Sequence, residues 1–136
     1  MEVSISRKCQ FNSAHRLHVA SWSEEKNKQV FGLCNNKNYH GHNYTLIVTI
    51  TGKIDPETGF VIDTKILKEI IECEIVERFD HKNLNMDCVE FLNLNPTVEN
   101  MAVVVWKIIN NKIDKAFKLK VKLYETERNF AEYEGK

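Results

Sequence analysis

The chain has 136 residues, four cysteines and no net charge, with 19 basic and 19 acidic residues. This length suits one domain, predicted over residues 1–136, and the neutral balance gives no electrostatic basis for binding nucleic acid or an anionic membrane. No apolar run is long enough to span a bilayer, and the first residues lack the basic start and apolar centre of a signal peptide. We therefore expect a cytoplasmic protein without nucleic-acid or membrane partners.

The beginning of the chain predicts two half-buried strands. Residues 2–15 and 39–54 alternate between apolar and polar side chains, as strands with one buried face do. The buried parity of these two strands also carries three histidines: His15, His40 and His42.

Two helices and two further strands are predicted next. Apolar residues recur at helical spacing in residues 63–79 and 95–113, and alternation returns in residues 118–126 and 129–133. The order strand-strand-helix-helix-strand-strand predicts an α+β fold, with an antiparallel four-stranded sheet and two helices on one face.

The three histidines form a candidate metal site. His40 and His42 are two positions apart on a strand and project to the same side, about 7 Å apart along the chain. If the first two strands pair, His15 joins them. Three imidazoles suit Zn²⁺ and leave a fourth position open, as catalytic zinc sites do; iron, nickel or copper also accept this ligand set. The alternative is a polar strand segment without a metal, and His18 has the parity of a surface histidine.

Cys34 is a candidate catalytic thiol. It lies in a loop rich in glycine and asparagine just before the strand with two of the histidines. A thiol beside a dication has reason to ionise and could act as a base or nucleophile; alternatively, it is an inert half-buried residue. The other three cysteines are predicted to be small buried residues: Cys9, Cys73 and Cys88.

Three acidic and basic side chains complete the candidate site. Asp80 can orient the imidazole of His81 and raise its basicity, although the pair could instead be an ordinary helix C-terminus. Glu125 shares the buried parity of its strand and therefore needs a partner, because an unpaired buried carboxylate is costly. Its two oxygens could accept a pair of N–H groups from a 2-amino-4-oxo-pyrimidine edge. The alternative is that Glu125 turns into solvent.

Six motifs in chain order resemble the 6-pyruvoyl-tetrahydropterin synthase family, across roughly residues 3–135. The motifs are FNSAHRL, FGLCNN, YHGHNY, FDHKNLN, PTVEN and YETERN. The resemblance implies the tunnelling fold, or T-fold, and a homohexamer built as a dimer of trimers with active sites at subunit interfaces. The wider superfamily includes 6-carboxytetrahydropterin synthases.

The resemblance also implies roles for individual residues. His15, His40 and His42 match zinc ligands, Cys34 the catalytic cysteine, and Asp80 with His81 the catalytic pair. Glu125 matches the glutamate that anchors the pterin, and Thr97 and Glu99 match a segment lining its pocket.

The implied reaction is conversion of 7,8-dihydroneopterin triphosphate to 6-pyruvoyl-tetrahydropterin with elimination of triphosphate, in tetrahydrobiopterin biosynthesis. Zn²⁺ would serve as Lewis acid, and Mg²⁺ accompanying the triphosphate is a further expectation. Cations for the triphosphate would come from Arg16 or the lysines of the third strand. The alternatives are a 6-carboxytetrahydropterin synthase, a lyase of the same substrate's side chain, or a non-catalytic zinc- or pterin-binding protein.

Overall fold

The computed structural model describes residues 1–136. Its five strands are β1 (Glu2–His15), β2 (His40–Lys53), β3 (Lys82–Asn83), β4 (Lys118–Tyr124) and β5 (Phe130–Tyr133). Its five α-helices are α1 (Glu24–Phe31), α2 (Thr64–Ile71), α3 (Glu77–Phe79), α4 (Leu84–Asp87) and α5 (Val98–Asn110). None of them has the length and hydrophobicity that a membrane crossing requires.

The strands form one sheet in the order β3-β1-β2-β4-β5. The four predicted strands pair antiparallel, but the sheet has a fifth strand, so the prediction of a four-stranded antiparallel sheet is wrong in count and direction. β3 pairs parallel to β1 at Ser13 and Ala14. Two residues are too few to show a strand period, which is why the sequence does not reveal β3.

One face of the sheet carries the core. The buried side chains alternate along the strands, and Leu46, Val48 and Val121 pack in one cluster with Leu67 and Val105 of the helices. The side chains of the opposite parity form a polar face, where the hydroxyl groups of serines on β1 meet those of threonines on β2. The helices therefore cover a single face, as predicted.

Side chains cap the N-termini of α2 and α5. The carboxylate of Asp63 accepts from the backbone N–H of Lys65 at 2.9 Å, and the hydroxyl of Thr97 accepts from that of Asn100 at 3.2 Å. The helix predicted over residues 63–79 is not a regular α-helix throughout, because a π-helical turn, Glu72–Val76, joins α2 to α3. Cys73 lies exposed on this turn, so the prediction that it is buried is wrong.

The sequence also did not reveal α1, which is followed by a short 3₁₀ turn, Gly32–Asn35. Ser23 caps this helix by accepting from the N–H of Lys26. Its one buried side chain belongs to Asn27, so it has no apolar stripe for a sequence pattern to detect.

Candidate metal centre and active site

Strand pairing brings the three histidines together. β1 and β2 pair so that His15 lies opposite His40 and Ser13 lies opposite His42. The three imidazoles are within 4.6–5.0 Å of one another, centroid to centroid, and their candidate ligand nitrogens lie within 4.8 Å of each other. The ring of His15 is fully buried, whereas those of His40 and His42 are partly buried.

The hydrogen bonds of His15 determine which nitrogen is free. Its Nδ1 lies 2.8 Å from the carbonyl oxygen of Pro96, which can only accept, so Nδ1 carries the proton. Nε2 is left without a proton and lies 3.0 Å from Nε2 of His40. This outer hydrogen bond is the arrangement that orients a metal-ligating imidazole.

The cluster fits a tetrahedral ion. Two ligands at about 2.0–2.1 Å from such an ion lie about 3.3 Å apart, close to the spacing between His15 and His40. Nε2 of His42 is buried and has no hydrogen-bond partner, which a bound cation would supply. The residues present therefore fit a metal with three nitrogen ligands and an open position.

The electrostatics of the cluster keep the imidazoles neutral. Burial lowers the pKa of His15 to about 4, against a partly opposing effect of the Pro96 carbonyl. Burial also lowers the pKa of His42, and it lowers that of His40 together with repulsion from His42. Because a metal binds only neutral imidazole, these shifts favour metal binding at neutral pH.

Glu125 faces the histidine cluster. It follows the last residue of β4, and its two carboxylate oxygens lie 3.8 Å from Nε2 of His15 and 3.9 Å from Nε2 of His42. Burial raises its pKa, the electrostatic interaction with His40 opposes that rise, and the charge of Glu99 adds to it. A pocket of about 740 Å³ runs along this place and is bordered by His42 and Glu125.

Cys34 is half-buried in the 3₁₀ turn and has a free thiol. The carbonyl oxygen of Cys34 accepts from the N–H of Leu17 at 2.8 Å. The turn is therefore attached to the chain two residues beyond His15.

Asp80 and His81 contact each other at the edge of the sheet. Their carboxylate oxygen and Nδ1 are 2.8 Å apart, and the pair is attached to β1, where the N–H of Asn12 donates to Asp80 at 2.8 Å. His81 has a left-handed backbone with φ of 59°, a conformation that residues with a Cβ rarely adopt. The Asn12 N–H and the His81 imidazole lower the pKa of Asp80. The His81 imidazole is 84 % exposed and, like Cys34, does not border the Glu125 pocket of the same chain.

Thr97 and Glu99 lie on the segment that orients His15. Thr97 follows Pro96, and its hydroxyl is engaged in capping α5. Glu99 is exposed in the first turn of that helix. The structure therefore gives Thr97 a capping role, and it places Glu99 where its charge contributes to the raised pKa of Glu125.

The whole sequence supports a family assignment. Residues 4–136 match the family described as 6-pyruvoyl tetrahydropterin synthase. The chain belongs to this family.

Relatives and a solved structure of the family cover nearly all of the chain. It is 42 % identical to the human 6-pyruvoyl tetrahydrobiopterin synthase over 134 residues, which are 98 % of this chain and 92 % of the human one. It is 44 % identical to that of Drosophila melanogaster over 132 residues, 96 % of this chain and 79 % of the fly protein. The Caenorhabditis elegans 6-pyruvoyl tetrahydropterin synthase structure superimposes with a TM-score of 0.94 at 35 % identity, covering 100 % of this chain and 97 % of that one.

Sequence reasoning assigned no role to two residues that support the site. Pro96 and Asn12 act through backbone atoms, for which side-chain patterns carry no signal. His18 was predicted to lie on the surface; it is half-buried, and its Nδ1 is buried without a hydrogen-bond partner. The parity argument does not apply to it, because β1 ends at His15.

Proposed function

We propose that this chain is a 6-pyruvoyl-tetrahydropterin synthase. It would convert 7,8-dihydroneopterin triphosphate to 6-pyruvoyl-tetrahydropterin with elimination of triphosphate, as a triphosphate-eliminating lyase of tetrahydrobiopterin biosynthesis. The observation that carries the proposal is the convergence of His15, His40 and His42 with the Glu125 carboxylate. Relatives of that function along nearly the whole chain support it.

The metal in this proposal is Zn²⁺, held by His15, His40 and His42. The three neutral nitrogens and the open fourth position are the ligand set of a catalytic zinc site. When bound, Zn²⁺ would supply Lewis-acid chemistry that favours ionisation of the substrate's side-chain hydroxyls. Mg²⁺ would accompany the triphosphate.

Glu125 would hold the pterin ring. Its carboxylate offers two acceptor oxygens in a largely buried place, with the side chain 18 % exposed, and a pterin edge offers two adjacent N–H groups. Burial disfavours the charged carboxylate. Two hydrogen bonds donated by the pterin N–H groups would compensate for the solvation that the carboxylate has lost. Thr97 and Glu99 would line the same pocket.

The proton transfers would belong to Cys34, Asp80 and His81. Cys34 as thiolate would remove a proton from a side-chain carbon of the substrate. His81, oriented by Asp80, would pass protons between substrate oxygens and solvent. No external oxidant or reductant would be needed, because the side chain would be oxidised to two carbonyl groups as the dihydropterin ring is reduced to a tetrahydropterin, and the triphosphate would leave with its bonding electrons.

The position of His81 supports a site shared between subunits. Its imidazole is exposed at the edge of the sheet and outside the pocket of its own chain, where a neighbouring subunit's pocket can reach it. The outer edge of β1 along residues 2–11 has no strand partner within the chain, and such edges pair with other chains. A homohexamer of T-fold subunits would satisfy both features.

Turnover of the purified metal-loaded protein tests the function. With 7,8-dihydroneopterin triphosphate as substrate, we expect equal amounts of triphosphate and 6-pyruvoyl-tetrahydropterin, separated by chromatography. Formation of 6-carboxytetrahydropterin would assign the chain to the related synthases of the superfamily. Triphosphate release that also requires the thiol of Cys34 would support the proposal over a role in metal storage.

A further inference from the structure

Arg16 follows the metal-ligand candidate His15 and connects two other parts of the chain. Its Nε donates to the carbonyl oxygen of Asn35 at 2.9 Å, and one Nη donates to the side-chain oxygen of Asn35 at 3.2 Å. Asn35 is the residue after Cys34. The guanidinium group is therefore hydrogen-bonded to the end of the turn that carries the thiol.

The backbone of Arg16 is held from the opposite direction by Asn85. The N–H of Arg16 donates to the Asn85 side-chain oxygen at 2.8 Å, and the Asn85 amide donates back to the carbonyl oxygen of Arg16 at 2.9 Å. Asn85 lies two residues beyond the end of β3, which pairs with β1 only at Ser13 and Ala14. Its side chain thus continues the pairing of β1 past the point where the strand partner stops.

These bonds connect three elements of the site. Asn85 is four residues from His81, Arg16 is next to His15, and the N–H of Leu17 donates to the carbonyl of Cys34 at 2.8 Å. A 3₁₀ turn of four residues has poor internal hydrogen-bond geometry, so its position depends on such anchors.

We propose that Arg16 and Asn85 are positioning residues that set the Cys34 turn relative to His15 and to the Asp80–His81 segment. This inference rests on the proposed function and names residues that act through Cys34 rather than on substrate. An arginine is needed because its planar fork reaches two acceptors of Asn35 at once, which a lysine ammonium cannot do in the same geometry.

The assignment differs from a role as a triphosphate-binding cation. Two donor positions of the Arg16 side chain are already engaged by Asn35. Among the lysines of β4, Lys120 and Lys122 pair with Glu132 and have the parity opposite to that of Glu125. Positioning and anion binding predict different kinetics, so they can be separated.

Arg16→Lys keeps the positive charge and removes the fork. We expect kcat to fall about 100-fold, as for a misplacement of about 1 Å, with KM little changed. Metal content measured by mass spectrometry should be unchanged. Amide hydrogen exchange at Leu17 should accelerate, while exchange in α5 stays as in the wild type. Asn85→Ala should reproduce these effects at unchanged charge.

The double variant and a matched control sharpen the test. Arg16→Lys combined with Asn85→Ala should be no slower than the slower single variant, because both residues act through one bridge. Arg78→Lys removes another forked arginine, which contacts Glu74 and Glu90, and should leave kcat and Leu17 exchange unchanged.

Several results would overturn the inference. A raised KM with unchanged kcat would make Arg16 an anion-binding residue, and loss of metal would mean that it acts on His15. If Arg16→Lys does not fold, Asn85→Ala decides, and unchanged kcat and Leu17 exchange there would refute the bridge. Leu17 exchange does not depend on turnover, so a wild-type protein without turnover would refute only the proposed function.

Discussion

The imidazole of His15 donates from Nδ1 to the carbonyl oxygen of Pro96 at 2.8 Å. This bond fixes the tautomer of a buried ring and directs its other nitrogen at His40. Two consequences concern metal binding and the response of the metal-free protein to acid.

His42→Ala should abolish stable metal binding. The variant removes one of three ligands, so the loss of affinity should exceed the about 10- to 100-fold typical of removing an outer-shell partner. Metal content after dialysis measures it. His18→Ala is the matched control, because His18 is not part of the cluster, and it should retain the metal. A metal-replete His42→Ala protein would contradict the three-histidine site.

Cys34→Ala should lower turnover strongly and keep the metal. General-base catalysis contributes about 10²- to 10⁴-fold, so a loss of that size in kcat is expected. Cys73→Ala removes an exposed thiol on the π-helical turn and should leave turnover unchanged. If Cys34→Ala also loses metal, Cys34 is a ligand and its assignment as a base is wrong.

Glu125→Gln should weaken pterin binding with little change in metal content. It replaces one acceptor oxygen by a donor amide at nearly constant volume, and a hydrogen bond to a charged group contributes about 1.5–3 kcal/mol. Pterin affinity from fluorescence titration should therefore fall by about 10- to 100-fold. Glu132→Gln, which changes a carboxylate paired with two lysines, is the control. If Glu125→Gln binds pterin with the affinity of the wild-type protein, Glu125 does not anchor the pterin.

Two inactive variants should restore activity when mixed if the site is shared. In hexamers assembled from equal amounts of Cys34→Ala and His81→Ala chains, a site that takes its thiol and its imidazole from different chains is intact with probability one half times one half. Activity should then recover to about one quarter of the wild type after co-refolding. No recovery, in hexamers shown to be mixed by mass spectrometry, would mean that both groups act within one chain.

The metal-free protein should lose stability in mild acid. Because burial lowers the pKa of His15 from 6.5 to about 4, the unfolded chain binds a proton in this interval that the folded chain does not. The contribution of His15 to the free energy of unfolding should be constant above pH 6.5. It should fall as the pH decreases from 6.5 to 4. Urea titrations of the apoprotein measure the slope. The free energy of unfolding of His15→Asn should depend less steeply on pH in this interval. A slope equal to that of the wild type would contradict the assignment.

The convergence of the three histidines was predictable from the alternation of side chains along the strands. His15, His40 and His42 lie on buried parities of two long strands, and antiparallel pairing of neighbouring strands brings them together. What sequence reasoning could not provide is the support around it. The Pro96 carbonyl and the Asn12 N–H are backbone groups whose partners are 68 to 81 residues away.

Short and irregular elements were missed for a related reason. β3 has two residues and α1 has no apolar stripe, so neither produces a periodic signal. The Asp80–His81 pair includes a residue with a left-handed backbone, His81, a conformation that a residue with a Cβ rarely adopts and that no pattern indicates.

The π-helical turn Glu72–Val76 has a further consequence for the active site. Four side chains at intervals of four residues are all buried against the sheet: Leu67, Ile71, Ile75 and Phe79. In a regular α-helix each such interval advances the side chain by about 40°, and the wider turn compensates for that drift. Deleting one residue of the turn would therefore regularise the helix and rotate everything after it by about 100°. The carboxylate of Asp80 would then point away from β1, so the wider turn keeps it within reach of the Asn12 N–H.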